Sequence, residues 1–221
     1  MISDILSFLT ELKKNNNRDW FTSNKSWYEK VKKDFENIVL KLIQEVSLFD
    51  PDIGYPDPKK CIFRIYRDVR FSKDKSPFKT NFGGFIVKGG RNSGNAGYYL
   101  HLEPGESMIA GGAYMPESNI LRNIRMDICH RTNEFLDIIN EKSFVKTFGE
   151  LEGEKLKKIP KGFPEDFAYP EIIKYKSYTV LVPLKKEDLN KSDDVIIKMT
   201  ADIFSTMHPF INFLNQAIDI Q

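Results

Sequence analysis

Three strand-like segments follow one another closely in residues 82–113, which read FGGFIVKGGRNSGNAGYYLHLEPGESMIAGGA. A glycine-rich stretch, Gly89 to Gly97, and the pair Pro104-Gly105 supply the turns between these segments. Connections this short favour antiparallel pairing, because parallel strands need a long crossover. We therefore predict strands near 81–88, 97–103 and 107–113 that form neighbouring parts of one antiparallel sheet.

Two further strands are predicted on either side of this meander. Apolar and polar residues alternate from Cys61 to Tyr66, which predicts a strand near 60–67 with Arg64 and Tyr66 on one face. The run from Ser177 to Leu184 predicts a last strand near 177–184. The sheet should therefore contain five strands and be largely antiparallel.

Helical periodicity flanks the predicted sheet. Apolar residues recur at helical spacing from Ile2 to Leu12 and from Trp27 to Val46, and the second run begins at a capping-box pattern, Ser26-x-x-Glu29. The same spacing returns after Pro116 and again near the C-terminus, where Pro209 is expected to break or kink the helix. We predict a single α+β domain over residues 1–221, with helices before, within and after the sheet-forming region.

Composition excludes several classes of protein. No uncharged apolar run approaches the about 18 residues of a membrane span, and Met1–Asp4 does not begin a signal peptide. The two cysteines, Cys61 and Cys129, match no zinc or thioredoxin spacing and are too few for a disulfide scaffold. We expect a cytoplasmic protein that does not enter a membrane.

The net charge of +2 conceals an asymmetry along the chain. Residues 59–91, here called the basic segment, hold ten Lys and Arg residues against Asp68 and Asp74, which gives +8 there and −6 elsewhere. A concentrated positive charge raises the local concentration of anions. A solvated surface loop is the plainer interpretation of the same charge run.

Three arginines, Arg64, Arg67 and Arg70, recur at every third residue of the basic segment. The planar guanidinium group suits bidentate capture of phosphate or carboxylate, and Lys79 could add a point charge. Tyr66 would support this anion site, and Asp68 could hold one arginine in place. The alternative is an ion network that only maintains the fold, since such networks also cluster charges.

His101 and Glu103 are the candidates for acid–base chemistry, because on a strand they share one face with Tyr99. A cross-strand polar pair without chemistry is the alternative. Only three histidines occur, without paired spacing, so we predict no metal site. Gly111 and Gly112 permit close approach of a ligand or of another strand, or mark a bulge.

A set of motifs is spread along the chain: Asn17–Phe21 with Asn24-Lys25, Phe63–Ser72, Tyr99–Gly105, Gly111–Tyr114, Leu121–Arg125 and Pro160–Phe163. Together they resemble the bacterial and fungal family called domain of unknown function 2461. The resemblance runs from about Asn17 to Lys176 and implies a single α+β domain, but it implies no reaction. One departure stands out, because Phe78-Lys79-Thr80-Asn81 replaces the Tyr-Lys-Thr-His that is frequent in the family.

The sequence leads to one preferred hypothesis and two alternatives. The preferred one is a domain that binds a small anionic ligand through Arg64, Arg67, Arg70 and Lys79. The first alternative is an enzyme that uses His101 or Glu103 for proton transfer on that ligand. The second is a module that binds nucleic acid or protein, although nucleic acid is disfavoured because most aromatic residues of the basic segment alternate as a core face does. The sequence identifies no cofactor and predicts no oligomeric state.

Overall fold

The computed structural model describes residues 1–219 and contains a four-stranded antiparallel sheet in the order β1-β2-β3-β4. The strands are β1 (Phe82–Ile86), β2 (Gly97–Leu102), β3 (Met108–Ala113) and β4 (Tyr178–Pro183). Each pairs with its neighbour in antiparallel register, for example Gly83 with His101 and Tyr98 with Gly111. The α+β class and the strands predicted near 81–88, 97–103, 107–113 and 177–184 are confirmed.

Helices account for most of the remaining regular structure of residues 1–219. Turns and loops connect the helices, and one connection contains a short 3-10 helix at Pro51–Ile53. The helices in chain order are α1 (Ile2–Lys14), α2 (Arg18–Ser23), α3 (Lys25–Val46), α4 (Pro58–Cys61), α5 (Ser118–His130), α6 (Thr132–Ile139), α7 (Lys142–Phe148), α8 (Pro170–Ile173), α9 (Lys186–Leu189) and α10 (Asp193–Asp219). No helix of the described chain is long and apolar enough to cross a bilayer.

The two long helices, α3 and α10, pack against one face of the sheet and form the core with it. The ring of Phe82 in β1 contacts Phe35 of α3, with 5.3 Å between centroids. The ring of Tyr98 in β2 contacts Phe204 of α10 at 5.1 Å. Successive strand residues point to opposite faces. Tyr99 and His101 alternate with the core residues Tyr98, Leu100 and Leu102 of β2, so they point to the outer face.

The strand predicted near 60–67 is wrong. Asp57 caps a short helix there, α4, through its side chain and the backbone NH of Lys59, and Pro58 occupies the first turn. The chain then extends with only isolated bridges, from Ile62 to Gly84 of β1 and from Tyr66 to Phe78 before β1. The predicted alternation holds only in part: Ile65 is buried while Arg64 and Tyr66 are exposed, but Ile62 is buried and Phe63 is exposed.

Two helix predictions also need correction. The helix α3 begins at Lys25 after Asn24, so the Ser26 capping box does not form its start. The last helix continues through Pro209 without a break. Buried residues on both sides of the proline, such as Phe204, Phe210 and Leu214, keep the helix against the sheet, and their burial offsets the roughly 3 kcal/mol that an internal proline costs. The assignment of residues 1–221 to one domain stays a prediction, and Ile220 and Gln221 lie outside the described residues.

Candidate functional site

Three polar side chains lie on the outer face of β2 and just beyond its end. Tyr99 and His101 project from alternate positions of β2, and Glu103 follows one residue after the strand. The position opposite His101 in β1 is Gly83, where a Cβ atom would lie 2.4 Å from the Tyr99 hydroxyl. The missing side chain at Gly83 therefore gives the Tyr99 ring room to lie across β1.

Hydrogen bonds join these residues in one line. The hydroxyl of Tyr99 lies 3.0 Å from Nδ1 of His101, and Nε2 of His101 lies 3.0 Å from Oε2 of Glu103. Thr80 Oγ1 donates to Oε1 of Glu103 at 2.7 Å, and the side chain of Asn81 also hydrogen-bonds this carboxylate. We call Tyr99, His101, Glu103 and Thr80 the polar chain. Since it ties β2 to the segment that precedes β1, its geometry depends on the sheet register.

The electrostatics of the polar chain fix the direction of its hydrogen bonds. Burial raises the pKa of Glu103, but hydrogen bonds from Thr80 and His101 outweigh this and hold the pKa below its ordinary value. An ionised Glu103 accepts from Nε2–H of His101, so a neutral His101 has its bare nitrogen at Nδ1. Burial, together with the charge of Glu103, raises the pKa of Tyr99 to about 12. Tyr99 therefore keeps its proton at neutral pH and donates it to His101.

Two cationic side chains lie over the ring of Phe63 next to the polar chain, and the charge of a third, Arg64, acts on one of them. The ammonium of Lys79 lies 5.5 Å from the centroid of the Phe63 ring, and the guanidinium of Arg91 lies 5.0 Å from it. Arg64 follows Phe63 directly, and its charge acts on Lys79. Phe63 also contacts Tyr99 edge to face, with 6.1 Å between centroids. We call Arg64, Lys79 and Arg91 the cation cluster, and Phe63 connects it to the polar chain.

No carboxylate of residues 1–219 forms an ion pair with any member of the cation cluster. The charge of Asp68 acts on Arg64 without forming an ion pair. Arg91 is held by a bond from its Nε to the carbonyl of Lys60, at 2.6 Å. Burial lowers the pKa of Lys79, and the charges of Arg64 and Arg91 lower it further. The half-buried Lys79 therefore stands in a positive potential.

Arg67 and Arg70 do not join this cluster, because each forms its own ion pair in the loop of residues 67–76, here called the arginine loop. Arg67 pairs with Asp74 and also donates to the carbonyl of Ser76 at 3.2 Å. Arg70 pairs with Asp68 at 2.7 Å. The structure thus separates the four predicted anion ligands into two that are paired and two, Arg64 and Lys79, that are not.

The other predicted supporting residues take part in packing. Tyr66 is half exposed, and its ring contacts Phe21 and Phe78 with 5.8 and 5.4 Å between centroids. A Cβ atom on Gly111 would lie 2.1 Å from Sδ of Met207 in α10.

Gly112 has a φ of 122°, and a Cβ atom there would lie 2.0 Å from the carbonyl oxygen of Tyr178 in β4. Close approach of a helix and a neighbouring strand therefore explains both glycines.

Four residues of the site were not singled out from the sequence: Phe63, Thr80, Asn81 and Arg91. Asn81 is one of the two positions at which Phe78-Lys79-Thr80-Asn81 departs from the family pattern, and that departure was the available signal. Arg91 lies in the glycine-rich connection after β1, so only the folded hairpin brings it to Phe63. Among residues 1–219, no three His, Cys, Asp or Glu side chains are grouped so that they could hold a metal ion.

The family model for the conserved hypothetical protein DUF2461 matches residues 4–213, and the chain belongs to this family. No curated protein and no solved structure matches the chain. The family description names no reaction, so the function has to be argued from the geometry of the cation cluster and the polar chain.

Proposed function

We propose that this member of the DUF2461 family is a cytoplasmic protein that binds a small anionic ligand, bearing phosphate or carboxylate, through the cation cluster. The observation that carries the proposal is that Lys79 and Arg91 lie over the ring of Phe63, with the charge of Arg64 acting on Lys79, and that none of the three cations forms an ion pair with a carboxylate of the described chain. Clustered like charges destabilise the site electrostatically, and a bound anion relieves this repulsion.

The chemistry of the three cations supports an anion in their midst. The guanidinium of Arg64 offers a planar fork for two oxygens, and Lys79 supplies a compact charge. Arg91 is already oriented by the carbonyl of Lys60 and by the face of Phe63. Such preorganisation reduces the entropy that binding would otherwise lose.

Glu103, the carboxylate of the polar chain, does not compete with an external anion for the cation cluster. Both oxygens of Glu103 accept hydrogen bonds, one from Thr80 and one from His101. The charge of Glu103 is thus directed to its own partners, which leaves the cation cluster available to an external anion.

Acid–base catalysis on the bound ligand is a second candidate function, and the polar chain favours it. Tyr99, His101 and Glu103 form a continuous line of hydrogen bonds along which protons can move. Incubation of a metabolite extract with wild type or Glu103→Gln, followed by mass spectrometry, tests this candidate. Depletion of an anionic compound by the wild type alone supports it, and equal profiles contradict it.

Titration with inorganic phosphate, followed by NMR, tests the binding proposal. Lys79→Met should weaken binding about tenfold or more, because a charge-assisted hydrogen bond contributes roughly 1.5–3 kcal/mol. The matched control is Lys73→Met in the exposed arginine loop, which should change the affinity less than about twofold. Equal losses in both variants, or no saturable binding to the wild type, would contradict the proposal.

A further inference from the structure

We propose that the hydroxyl of Tyr99 is the group of the polar chain that meets the ligand, and that the ligand therefore carries an O–H or N–H donor beside its anionic group. The inference rests on the anion site proposed above and names the substrate class more closely. The class is that of small phosphate esters or carboxylic acids with a hydroxyl or amino substituent.

His101 and Glu103 cannot meet a ligand directly, because their polar atoms are already used. His101 is 8% exposed, and both its ring nitrogens are bonded, Nδ1 with Tyr99 and Nε2 with Glu103. The side chain of Glu103 is 13% exposed, and both its oxygens accept hydrogen bonds. Tyr99 and Thr80, the two ends of the polar chain, are only partly buried and have bonding capacity left, and Tyr99 is the end that contacts Phe63.

The direction of the hydrogen bonds decides what Tyr99 offers. When His101 carries a single ring proton, an ionised Glu103 holds that proton on Nε2, and Nδ1 then accepts from the Tyr99 O–H. The hydroxyl oxygen then presents lone pairs and no proton to its surroundings. A ligand group that contacts Tyr99 must therefore donate, which a fully ionised phosphate or carboxylate cannot do. His101 and Glu103 act here as positioning residues.

Phe63 places this acceptor and the cation cluster within reach of one small molecule. The rings of Phe63 and Tyr99 meet edge to face with 6.1 Å between centroids, and Lys79 and Arg91 lie over the ring of Phe63. An anionic group at the cluster and a donor a few bonds away can thus engage both at once. The combination of an anionic group with a hydrogen-bond donor distinguishes the proposed ligand from inorganic phosphate.

Two phosphate esters that differ in their hydroxyls test the inference: glycerol 3-phosphate and n-propyl phosphate. Wild type should bind glycerol 3-phosphate about 2- to 10-fold more tightly, the range expected for one neutral hydrogen bond. In Tyr99→Phe the two affinities should become equal, at the level that n-propyl phosphate has in the wild type. Glu103→Gln should reduce the preference as well, because the Tyr99 O–H then loses its fixed direction.

Tyr55→Phe is the matched control, since Tyr55 is exposed in the connection between α3 and α4, and it should keep the wild-type preference. Unchanged binding of n-propyl phosphate shows that each variant is folded. If wild type binds both esters equally, or if Tyr99→Phe keeps the preference, the inference is overturned while the anion site stands. If wild type binds neither ester, the proposed function fails as well.

Discussion

The arginine loop and the cation cluster lie in the same basic segment, but their charges are handled in opposite ways. In the loop, Arg67 pairs with Asp74 and Arg70 pairs with Asp68. These two aspartates are the only acidic residues of the basic segment, and both lie in the loop. The cluster therefore keeps the positive charge that the loop has neutralised.

This difference shows that net charge alone does not locate an anion site. The basic segment has a charge of +8 over its whole length, yet its most arginine-rich part is internally paired. The unpaired part comes from three separate positions: Arg64 follows Phe63 in the sequence, and the fold brings Lys79 and Arg91 to the ring of Phe63. Three predictions address this contrast and one addresses the neighbouring polar chain, and they run from the largest expected effect to the smallest.

Lys79→Glu should have the largest effect. It should lower the affinity for inorganic phosphate about 100-fold or more, because a carboxylate at this position repels the anion and occupies Arg64 and Arg91. The same change should raise the melting temperature, since it replaces repulsion by ion pairs. Calorimetric titration and thermal unfolding measure both effects.

The control for this variant is Lys73→Glu, which changes the net charge equally but lies in the arginine loop. Its phosphate affinity should change only slightly, through long-range potential that salt screens. Equal loss of binding in the two variants would show that total charge, and not the cluster, attracts the anion.

Glu103→Gln should destabilise the fold by about 1–3 kcal/mol at neutral pH, because it weakens the bonds from Thr80 and His101. The folded-state pKa of Glu103 lies below its ordinary value of 4.5, so its contribution is complete above pH 4.5 and disappears as the pH falls through the folded-state pKa. Urea unfolding of the wild type and of the variant should therefore differ most at neutral pH, with the gap closing on acidification. The exposed Glu106→Gln is the control, and a gap for Glu103→Gln that stays constant with pH would contradict the assignment.

Arg67→Ala should destabilise the arginine loop without affecting the binding of the anion. The lost bond to the carbonyl of Ser76 contributes about 1 kcal/mol, and phosphate affinity should stay within about twofold of the wild type. Urea unfolding and phosphate titration measure the two quantities on one preparation. A large loss of phosphate binding would place Arg67 in the site and remove the contrast between the regions.

Arg64→Ala should show the reverse pattern with the smallest change in stability. Phosphate affinity should fall several-fold, while the free energy of unfolding should rise by no more than about 0.5 kcal/mol, because one of three repelling charges is gone. Destabilisation of this variant with unchanged phosphate binding would mean that Arg64 serves the fold.

Much of the fold could be predicted because its signals are local. Short turns at Gly89–Gly97 and Pro104-Gly105 fix the β1-β2-β3 meander, and apolar periodicity fixes α3 and α10. The segment near 60–67 could not be predicted correctly, because Asp57 and Pro58 start a helical turn that ends at Cys61, where the alternating pattern begins. The break predicted at Pro209 was also wrong, because α10 is kept continuous by tertiary contacts of its buried residues, which the local sequence does not show.

The site was predictable where it depends on strand alternation and not where it depends on distant contacts. Alternation correctly placed Tyr99 and His101 on one face. The regular spacing of Arg64, Arg67 and Arg70 suggested one joint site, but these residues lie in an extended segment and an irregular loop, where equal spacing does not mean equal direction. The partners Thr80 and Arg91 come from other parts of the chain and carry no local signal of their role.

The pKa of the Lys79 amine, measured by NMR of the lysine side chains with Lys79→Arg for assignment, tests the central claim most directly. Burial and the charges of Arg64 and Arg91 predict a value below the ordinary 10.5 in phosphate-free buffer. Added inorganic phosphate should raise this value, because a bound anion stabilises the protonated amine. A pKa at or above 10.5 that does not respond to phosphate would contradict an uncompensated cation cluster that binds anions.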